Sequence, residues 1–238
     1  MNLRILVSKV RRTPLHPQWL LGGESHSGAW VRDHAIGLVL DIGCASRWVE
    51  RWLSHECSYV GIDYPITGRD LYHSKPDIFA DAKALPLRNE IFDTVVMLEV
   101  MEHLRHPREA LSEAARVLRP RGKILLSMPF LYPVHDAPHD YQRLTIHGLI
   151  RDIEAAGLEI ESVTPTLGSF ETAGLVTCLA LGGAAMKTVE FKDVRLLLLP
   201  LLAFAIPIVN IVAWLAARLM PSWDALTVGY RVSAVRIS

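Results

Sequence analysis

The amino-acid sequence predicts an α/β protein organised as a doubly wound parallel sheet, and three observations carry that prediction. From Ile36 onward, short apolar runs alternate with amphipathic segments. The first run, Leu38–Ile42, ends on Gly43, and the second, 59–62, ends on Asp63. A glycine there lets the chain turn tightly at the carboxyl end of a strand. A carboxylate twenty residues further on can accept hydrogen bonds from both hydroxyls of a ribose. The pattern is a strand, a glycine turn, a helix and a second strand, suited to a ligand that contains a nucleoside. Only the first of the three glycines of a dinucleotide fingerprint is present in Gly43-Cys-Ala-Ser-Arg47. Asp41 beside the turn would repel a pyrophosphate and attract a sulfonium or ammonium group.

The remaining elements follow in order. Strands are expected at 38–42, 59–62, 77–80, 92–98, 123–128 and 158–163. Ala110, Leu111, Ala114, Ala115 and Leu118 recur at helical spacing, with Pro107 suited to the first turn and Pro120 beyond the end. Thr145 can cap a helix carrying Ile146, Leu149, Ile150 and Ile153 on one face, which Gly157 closes in a left-handed conformation. Both helices read as scaffold. The last third changes character: 175–186 is small and apolar, and 196–217 is apolar throughout apart from Asn210, with Pro200 and Pro207 inside it. The end, Val228–Ile237, alternates like a strand.

Lys plus Arg and Asp plus Glu number 25 each, and no basic run appears, so a nucleic-acid partner has little electrostatic support. The three cysteines, Cys44, Cys57 and Cys178, show no C-x-x-C pairing, which fits core thiols in a reducing compartment. The N-terminal apolar stretch is too short for a secretory signal and no small-residue cleavage site follows it, so the catalytic part is expected in the cytoplasm.

Five motifs in order resemble a class I S-adenosylmethionine-dependent methyltransferase, of the methyltransferase type 11-like group that includes the quinone C-methyltransferases. They are Val39-Leu-Asp-Ile-Gly-Cys44, Val60-Gly-Ile-Asp63, Asp81-Ala-Lys-Ala-Leu-Pro-Leu87, Phe92-Asp-Thr-Val-Val-Met-Leu-Glu-Val-Met-Glu-His-Leu104 and Arg116-Val-Leu-Arg-Pro-Arg-Gly-Lys-Ile-Leu-Leu-Ser127. The run from Pro129 to Thr145 is similar to a subgroup met among surface-polysaccharide and lipid-modifying methyltransferases. The resemblance implies a Rossmann-like seven-stranded sheet whose last strand is antiparallel and lies beside the strand at 158–163. It divides the chain into an N-terminal cap segment (1–37), a cofactor-binding core (38–168), an apolar helical insertion (169–227) and a final strand of the core sheet (228–238). For the cofactor, S-adenosyl-L-methionine, it implies that Asp41, Gly43 and the backbone near Cys44 and Ala45 hold the methionine end. Asp63 would hold the ribose and Asp81 would face the adenine amino group, with Ala82 beside it. Glu99 would lie at the carboxyl edge of the sheet as a further cofactor-binding residue with His103 nearby, the alternative for both being a capping role. Ala45 and Arg47 stand where the family usually has glycines, Arg47 is expected to meet the cofactor carboxylate or project to solvent, and Arg121 replaces the first glycine of a Pro-Gly-Gly turn.

Methyl transfer from a sulfonium is an in-line displacement, so the protein chiefly aligns the acceptor and, for a hydroxyl, removes a proton. The loop His135–Arg143 is dense in groups able to do so. An imidazole titrates near pH 6.5, which makes His135 or His139 the expected base, with Tyr141 and Arg143 orienting the acceptor. A metal set of His135, Asp136, His139 and Asp140 is disfavoured because Pro138 breaks its helical spacing. Near the start, Trp19 and Trp30 belong to a cofactor cap or pack on the sheet edge.

A run as long as 196–217 could cross a membrane, yet a single crossing would strand the final β-segment on the wrong side. An insertion that lies in the membrane surface, or dips in and returns, is therefore preferred to one packed on its own domain. The prolines suit such a broken element. The expected protein is thus a membrane-associated methyltransferase on the cytoplasmic face, acting at oxygen on a small or lipid-linked, glycan-type acceptor. The alternatives are C-methylation of a lipid quinone and a non-catalytic membrane-bound binding module.

Overall fold

The computed structural model describes residues 10–71, 73–191 and 194–237. The expectations for Met1–Lys9 and for Ser238 lie outside the described residues. Two compact units are formed, one by residues 27–130, 134–164 and 229–237, the other by residues 10–26, 131–133 and 165–228. The segment expected to act as one cap is therefore divided at residue 26.

In chain order the elements are α1 (Glu24–His34), β1 (Leu38–Ile42), β2 (Ser58–Asp63), α2 (Pro65–Asp70), β3 (Ile78–Phe79), β4 (Phe92–Leu98), α3 (Pro107–Val117), β5 (Leu118–Pro129), α4 (Ile146–Ala155), β6 (Leu158–Pro165), α5 (Ser169–Phe191), α6 (Leu199–Leu219) and β7 (Gly229–Arg236). The seven strands form one sheet in the order β3-β2-β1-β4-β5-β7-β6. β7 is antiparallel to β5, in register from Lys123 against Val235 to Pro129 against Gly229. The expected seven-stranded sheet with an antiparallel last strand is thus present, and that strand lies beside β6.

Residue alternation along β1 explains why both faces are covered. Leu40 and Ile42 enter a core with Ala110 and Leu111 of α3 and Leu149 and Ile153 of α4. Val39, preceding Leu40, joins Val31 and Ala35 of α1 together with Val96 and Leu125. Pro107 opens α3, and the Thr145 hydroxyl caps α4 by accepting from the Gly148 amide at 3.3 Å. Gly157 closes α4 at φ 82°.

Two stretches depart from the expectation. No α-helix follows β1; the chain makes turns and then one 3₁₀ turn at Val49–Trp52. Ala45 and Arg47 hold φ of 41° and 58°, and left-handed residues cannot continue a right-handed helix. β5 also starts earlier than 123, because Leu118 pairs with Phe92 before the register shifts and resumes at Thr94 against Lys123. Pro120 therefore sits within this irregular strand start, with Arg121 at φ 66°.

The second unit is built on the hairpin of α5 and α6. The two helices run antiparallel: a Cβ on Gly174 would lie 2.4 Å from Ala213 Cβ, while Cys178, one turn on, reaches back to the Ile206 carbonyl at 3.5 Å. Only a glycine permits the first approach. Asn210 donates to the Pro14 and His16 carbonyls at 2.7 and 3.0 Å and accepts from the Cys178 thiol at 3.4 Å. Trp19 packs 6.5 Å from Trp214, in a cluster with Leu20, Leu175 and Ala213, so this aromatic belongs to the hairpin rather than to the sheet edge. Pro200 sits in the first turn of α6 and Pro207 lies inside the helix, which continues through it. The expected break at the prolines is absent. A prolyl residue in a first turn costs no hydrogen bond. Ser169–Phe191 and Val194–Leu219 are each long and apolar enough to cross a membrane, and they leave large apolar side chains such as Phe204 (67%) and Leu219 (79%) exposed.

Arg121→Gly should stabilise the protein, since a left-handed L-residue costs about 1–2 kcal/mol and the greater freedom of glycine in the unfolded chain offsets part of it. A rise of about 1–4 °C in melting temperature is expected; an unchanged or lower value would show that the Arg121 side chain contributes more than its backbone costs.

Candidate active site

β1 pairs with β2 on one side and β4 on the other, so the loops leaving β1 and β4 diverge. At such a reversal a crevice opens at the carboxyl ends of the strands. A cavity of about 410 Å³ lies there, and its lining includes Gly43, Ala45, Asp63, Asp81, Glu99 and His139. Gly43 holds φ 78°, and a Cβ on it would come within 2.5 Å of Val100 Cγ2, just past β4. The amides of Gly43 and Cys44 both donate to the Ile62 carbonyl, at 2.8 and 3.0 Å. The end of β2 is thereby tied to the turn. Asp63 is buried, accepting from the Ala45 amide at 3.1 Å and the Tyr64 amide at 2.8 Å, and burial raises its carboxyl above the usual carboxylate range.

Of the residues expected at the cofactor, Gly43, Ala45, Asp63, Asp81, Ala82 and Glu99 line this cavity, whereas Asp41 and Cys44 do not. Asp41 is buried beneath the turn and accepts from the Tyr59 hydroxyl at 2.7 Å. Desolvation pushes its carboxyl up to about 7 against the opposing effect of that hydrogen bond. Burial, reinforced by Asp41, pushes the Cys44 thiol up to about 12, so it stays a thiol at neutral pH. Arg47 neither meets the cavity nor projects freely: it pairs with Glu50 and Asp77, each at 2.9 Å, and stacks on the Tyr59 ring.

The opposite wall begins where β4 ends. Glu99 takes φ 55°, its amide donates to the Ser127 carbonyl, and the Ser127 hydroxyl donates to Glu99 Oε1 at 2.6 Å. A 3₁₀ turn at Met101–His103 follows. The loop at 135–143 is tied down on that turn: Gln142 Nε2 donates to the Met101 and Leu104 carbonyls, and the Tyr141 amide donates to the Glu102 carbonyl at 2.8 Å. Asp140 accepts from Arg143 Nη2 at 2.7 Å and from the His135 amide at 3.0 Å. These contacts, led by the Arg143 guanidinium, hold its carboxyl down at about 2. His139 and Tyr141 line the cavity and lie together, with the Tyr141 hydroxyl 3.4 Å from His139 Nδ1. His135 sits behind them, edge-on to His103 at 4.9 Å, and Arg143 is occupied with Asp140.

Glu102 is the residue that sequence reasoning passed over. Its carboxyl is fully buried, and burial, with the charge of Glu99 adding, pushes it up to about 9. The available signal was the run Glu99-Val-Met-Glu102-His103 at a strand end, which spaces two acids and a histidine around one turn.

The state of Asp41 predicts a pH dependence of stability. A carboxyl near 3.8 in the unfolded chain and near 7 in the fold keeps its proton in the fold between those values. The fold is then the state that binds more protons, so stability falls as pH rises from about 4 to 7 and does not recover above it. Asp41→Asn, which keeps an acceptor for Tyr59, should raise stability at pH 8.5 by on the order of 2 kcal/mol and by little at pH 4.5. Denaturant titrations at both values check this, and an equal effect at both would place the Asp41 pKa near its ordinary value.

The methyltransferase-domain family profile matches residues 30–163, more than half of the chain. A probable S-adenosylmethionine-dependent methyltransferase of Mycolicibacterium smegmatis is 29% identical over 195 residues, covering 73% of this chain and 75% of that protein. A malonyl-[acyl-carrier protein] O-methyltransferase of Hahella chejuensis is 31% identical over 101 residues, covering 37% of this chain and 35% of that one. The chain thus spans three quarters of the first relative but about a third of the second. Among solved structures, the [4+2]-cyclase SpnF superposes with a TM-score of 0.56 at 16% identity, covering 89% of this chain and 79% of that one, which shows the shared fold. With its sheet reversal, its glycine turn and its family match in agreement, the chain belongs to the methyltransferase-domain family and is an S-adenosylmethionine-dependent methyltransferase.

Proposed function

We propose that the enzyme methylates a hydroxyl of a small or lipid-linked acceptor at the cytoplasmic face of a membrane. The observation that carries this reading is the placement of His139 and Tyr141 on the same cavity as Gly43 and Asp63. The residues present fit the cofactor. The Asp63 carboxylate, held by two backbone amides, keeps lone pairs for ribose hydroxyls, and the bare Gly43 turn admits close approach of the methionine end. Asp81 and Ala82 serve the adenine edge, and Asp41 acts from beneath through its charge. S-adenosylmethionine supplies an electrophilic methyl group when bound. His139 takes the acceptor proton, and Tyr141, with its ring under the Arg105 guanidinium, orients the acceptor. His135 supports this wall from behind.

The membrane part of the reading rests on two helices long and apolar enough to cross a membrane, whose hairpin leaves large side chains such as Phe204 and Leu219 exposed. β7 rejoins the sheet next to β6, so a hairpin that enters lipid must also return. The relative named for methylation of malonyl-[acyl-carrier protein] at oxygen supports a carrier-linked acceptor and an oxygen nucleophile.

Comparing lipid and glycan extracts from cells with and without the protein, using isotope-labelled methyl donor, tests the reading; a label on carbon would overturn it. Asp63→Ala should weaken binding of S-adenosylmethionine and its demethylated product about tenfold or more, because hydrogen bonds to a charged acceptor contribute roughly 1.5–3 kcal/mol. His139→Ala should lower turnover about 10²–10⁴-fold while calorimetry finds cofactor affinity nearly unchanged. Parallel loss of both would mean that the loop has collapsed.

The protein should sediment with membranes and need detergent, and high salt should not release it, since attachment is hydrophobic. Reporter tags before Lys187 and after Ser238 distinguish the modes of attachment. The tag after Ser238 should report the cytoplasmic side, and finding it outside would sink this reading together with the rejoining strand. A monodisperse protein without detergent would point to a hairpin covered by protein instead.

A further inference from the structure

We propose that Glu102, His103 and His135 form a binding site for a divalent transition-metal ion on the wall of the active-site cavity. Their ligand atoms all lie within 4.8 Å of one another. Glu102 Oε1 is 3.6 Å from His103 Nε2 and 3.8 Å from His135 Nε2, too far for hydrogen bonds. Two ligand atoms at 2.0–2.2 Å from a shared metal stand about 3.0–3.6 Å apart at angles of 90–120°. The two contacts of Glu102 need close by no more than a few tenths of an ångström, and the two imidazole nitrogens, within 4.8 Å of each other, by about 1 Å at most.

The contacts of the two imidazoles favour the tautomer that a metal requires. His103 Nδ1 lies 2.7 Å from the His139 carbonyl, and since a carbonyl only accepts, Nδ1 carries the hydrogen and Nε2 the lone pair. His135 Nδ1 lies 3.3 Å from the Asp140 carboxylate, which fixes the same tautomer there. A histidine that donates its remote N–H to a carbonyl or carboxylate while turning the other nitrogen inward is the usual arrangement around a metal ligand.

Glu102 supplies the independent observation. Both of its carboxylate oxygens are buried without a hydrogen-bond partner, although nearly all buried polar atoms have one. A cation between Glu102 and the two nitrogens would satisfy them. The donor set, two imidazoles and one carboxylate, favours a first-row transition ion over Mg²⁺ or Ca²⁺, which prefer all-oxygen shells. This set differs from the one read from the loop alone, because the 3₁₀ turn after β4 contributes two of its members. His103 itself lines the cavity, which puts the three ligands in its wall.

The role of the ion rests on the O-methylation reading, whereas its binding does not. Held by Glu102, His103 and His135, the ion would supply Lewis acidity to an acceptor hydroxyl, whose proton His139 would take. The oxygen then forms a bond to the methyl carbon as the carbon–sulfur bond breaks. That bond's electron pair stays on sulfur, giving a methyl ether and S-adenosylhomocysteine with no change of oxidation state.

Calorimetric titration of the chelator-treated full chain with Zn²⁺ and Co²⁺ tests the site, with visible absorption of the Co²⁺ form as a second readout. One equivalent should bind, and Glu102→Gln, His103→Ala and His135→Ala should each weaken binding about tenfold or more, while Asp63→Ala leaves it intact. Folding of each variant is followed by circular dichroism, and Glu102→Gln keeps the shape of the side chain. Absence of stoichiometric binding in protein that still binds S-adenosylmethionine would overturn the site and leave the methyltransferase reading standing. Binding undiminished in all three variants would overturn it as well. Tight metal binding with no metal dependence of methyl transfer would retain the site and remove its role in deprotonation.

Discussion

The close approach of Gly43 to Val100 is the constraint on which the site depends. It joins the end of β1 to the segment leaving β4 at the point where strand order reverses, with no room for a side chain between them. The same turn donates two amides to the Ile62 carbonyl, which brings the end of β2 alongside. Asp63 then needs only its own backbone to face the cavity, and the Ala45 amide holds its carboxylate in place. Three strand ends are thus fixed by one left-handed glycine, and the cavity follows from their divergence.

That arrangement stores backbone strain around the cavity. Ala45, Arg47, Glu99 and Asp136 all have φ between 41° and 58°, a region that costs an L-residue roughly 1–3 kcal/mol. Each strained turn is held by specific partners where these are visible: the Ala45 amide by Asp63, Arg47 by Glu50 and Asp77, and Glu99 by both the carbonyl and hydroxyl of Ser127. Ala45 and Arg47 stand where the family uses glycine, and the backbone keeps the glycine conformation regardless. The substitutions altered local cost rather than local geometry.

Much of the sheet was legible because its strands are continuous apolar runs and its helices carry proper caps, as Thr145 and Gly157 show. Gly43 and Asp63 were legible for the same reason, since a strand end can be read from sequence. The short 3₁₀ turn after β1 was not, because no propensity rule assigns left-handed conformations to an alanine and an arginine. Asp41 lies on a strand whose residues alternate, and its partner Tyr59 comes from the neighbouring strand, so its removal from the cavity depends on register. Glu102 was hidden for a further reason: its burial requires the loop at 135–143, whose Gln142 amide reaches back 41 residues to the Met101 carbonyl. In the apolar tail, composition gave the helices correctly, but Pro207 does not interrupt α6, because the flanking turns hold the helix through one missing donor.

The titrating groups around the cavity share one feature. Asp41, Asp63 and Glu102 are all shifted upward, and in each case desolvation is the leading cause. Carboxyl groups buried near one another in apolar surroundings disfavour their own ionisation, so the fold alone does not gain from them. A positively charged ligand reverses the balance, because it favours the carboxylate form of every group it approaches. A cation brought close to the turn would therefore draw a proton from Asp41 near neutral pH, since burial holds that carboxyl at about 7. An anionic ligand meets the opposite response, since it would push the same groups further toward their neutral form and gain no attraction from them. The missing glycines and the buried acids thus point the same way: the turn that resembles a dinucleotide site in outline is electrostatically built for a cation.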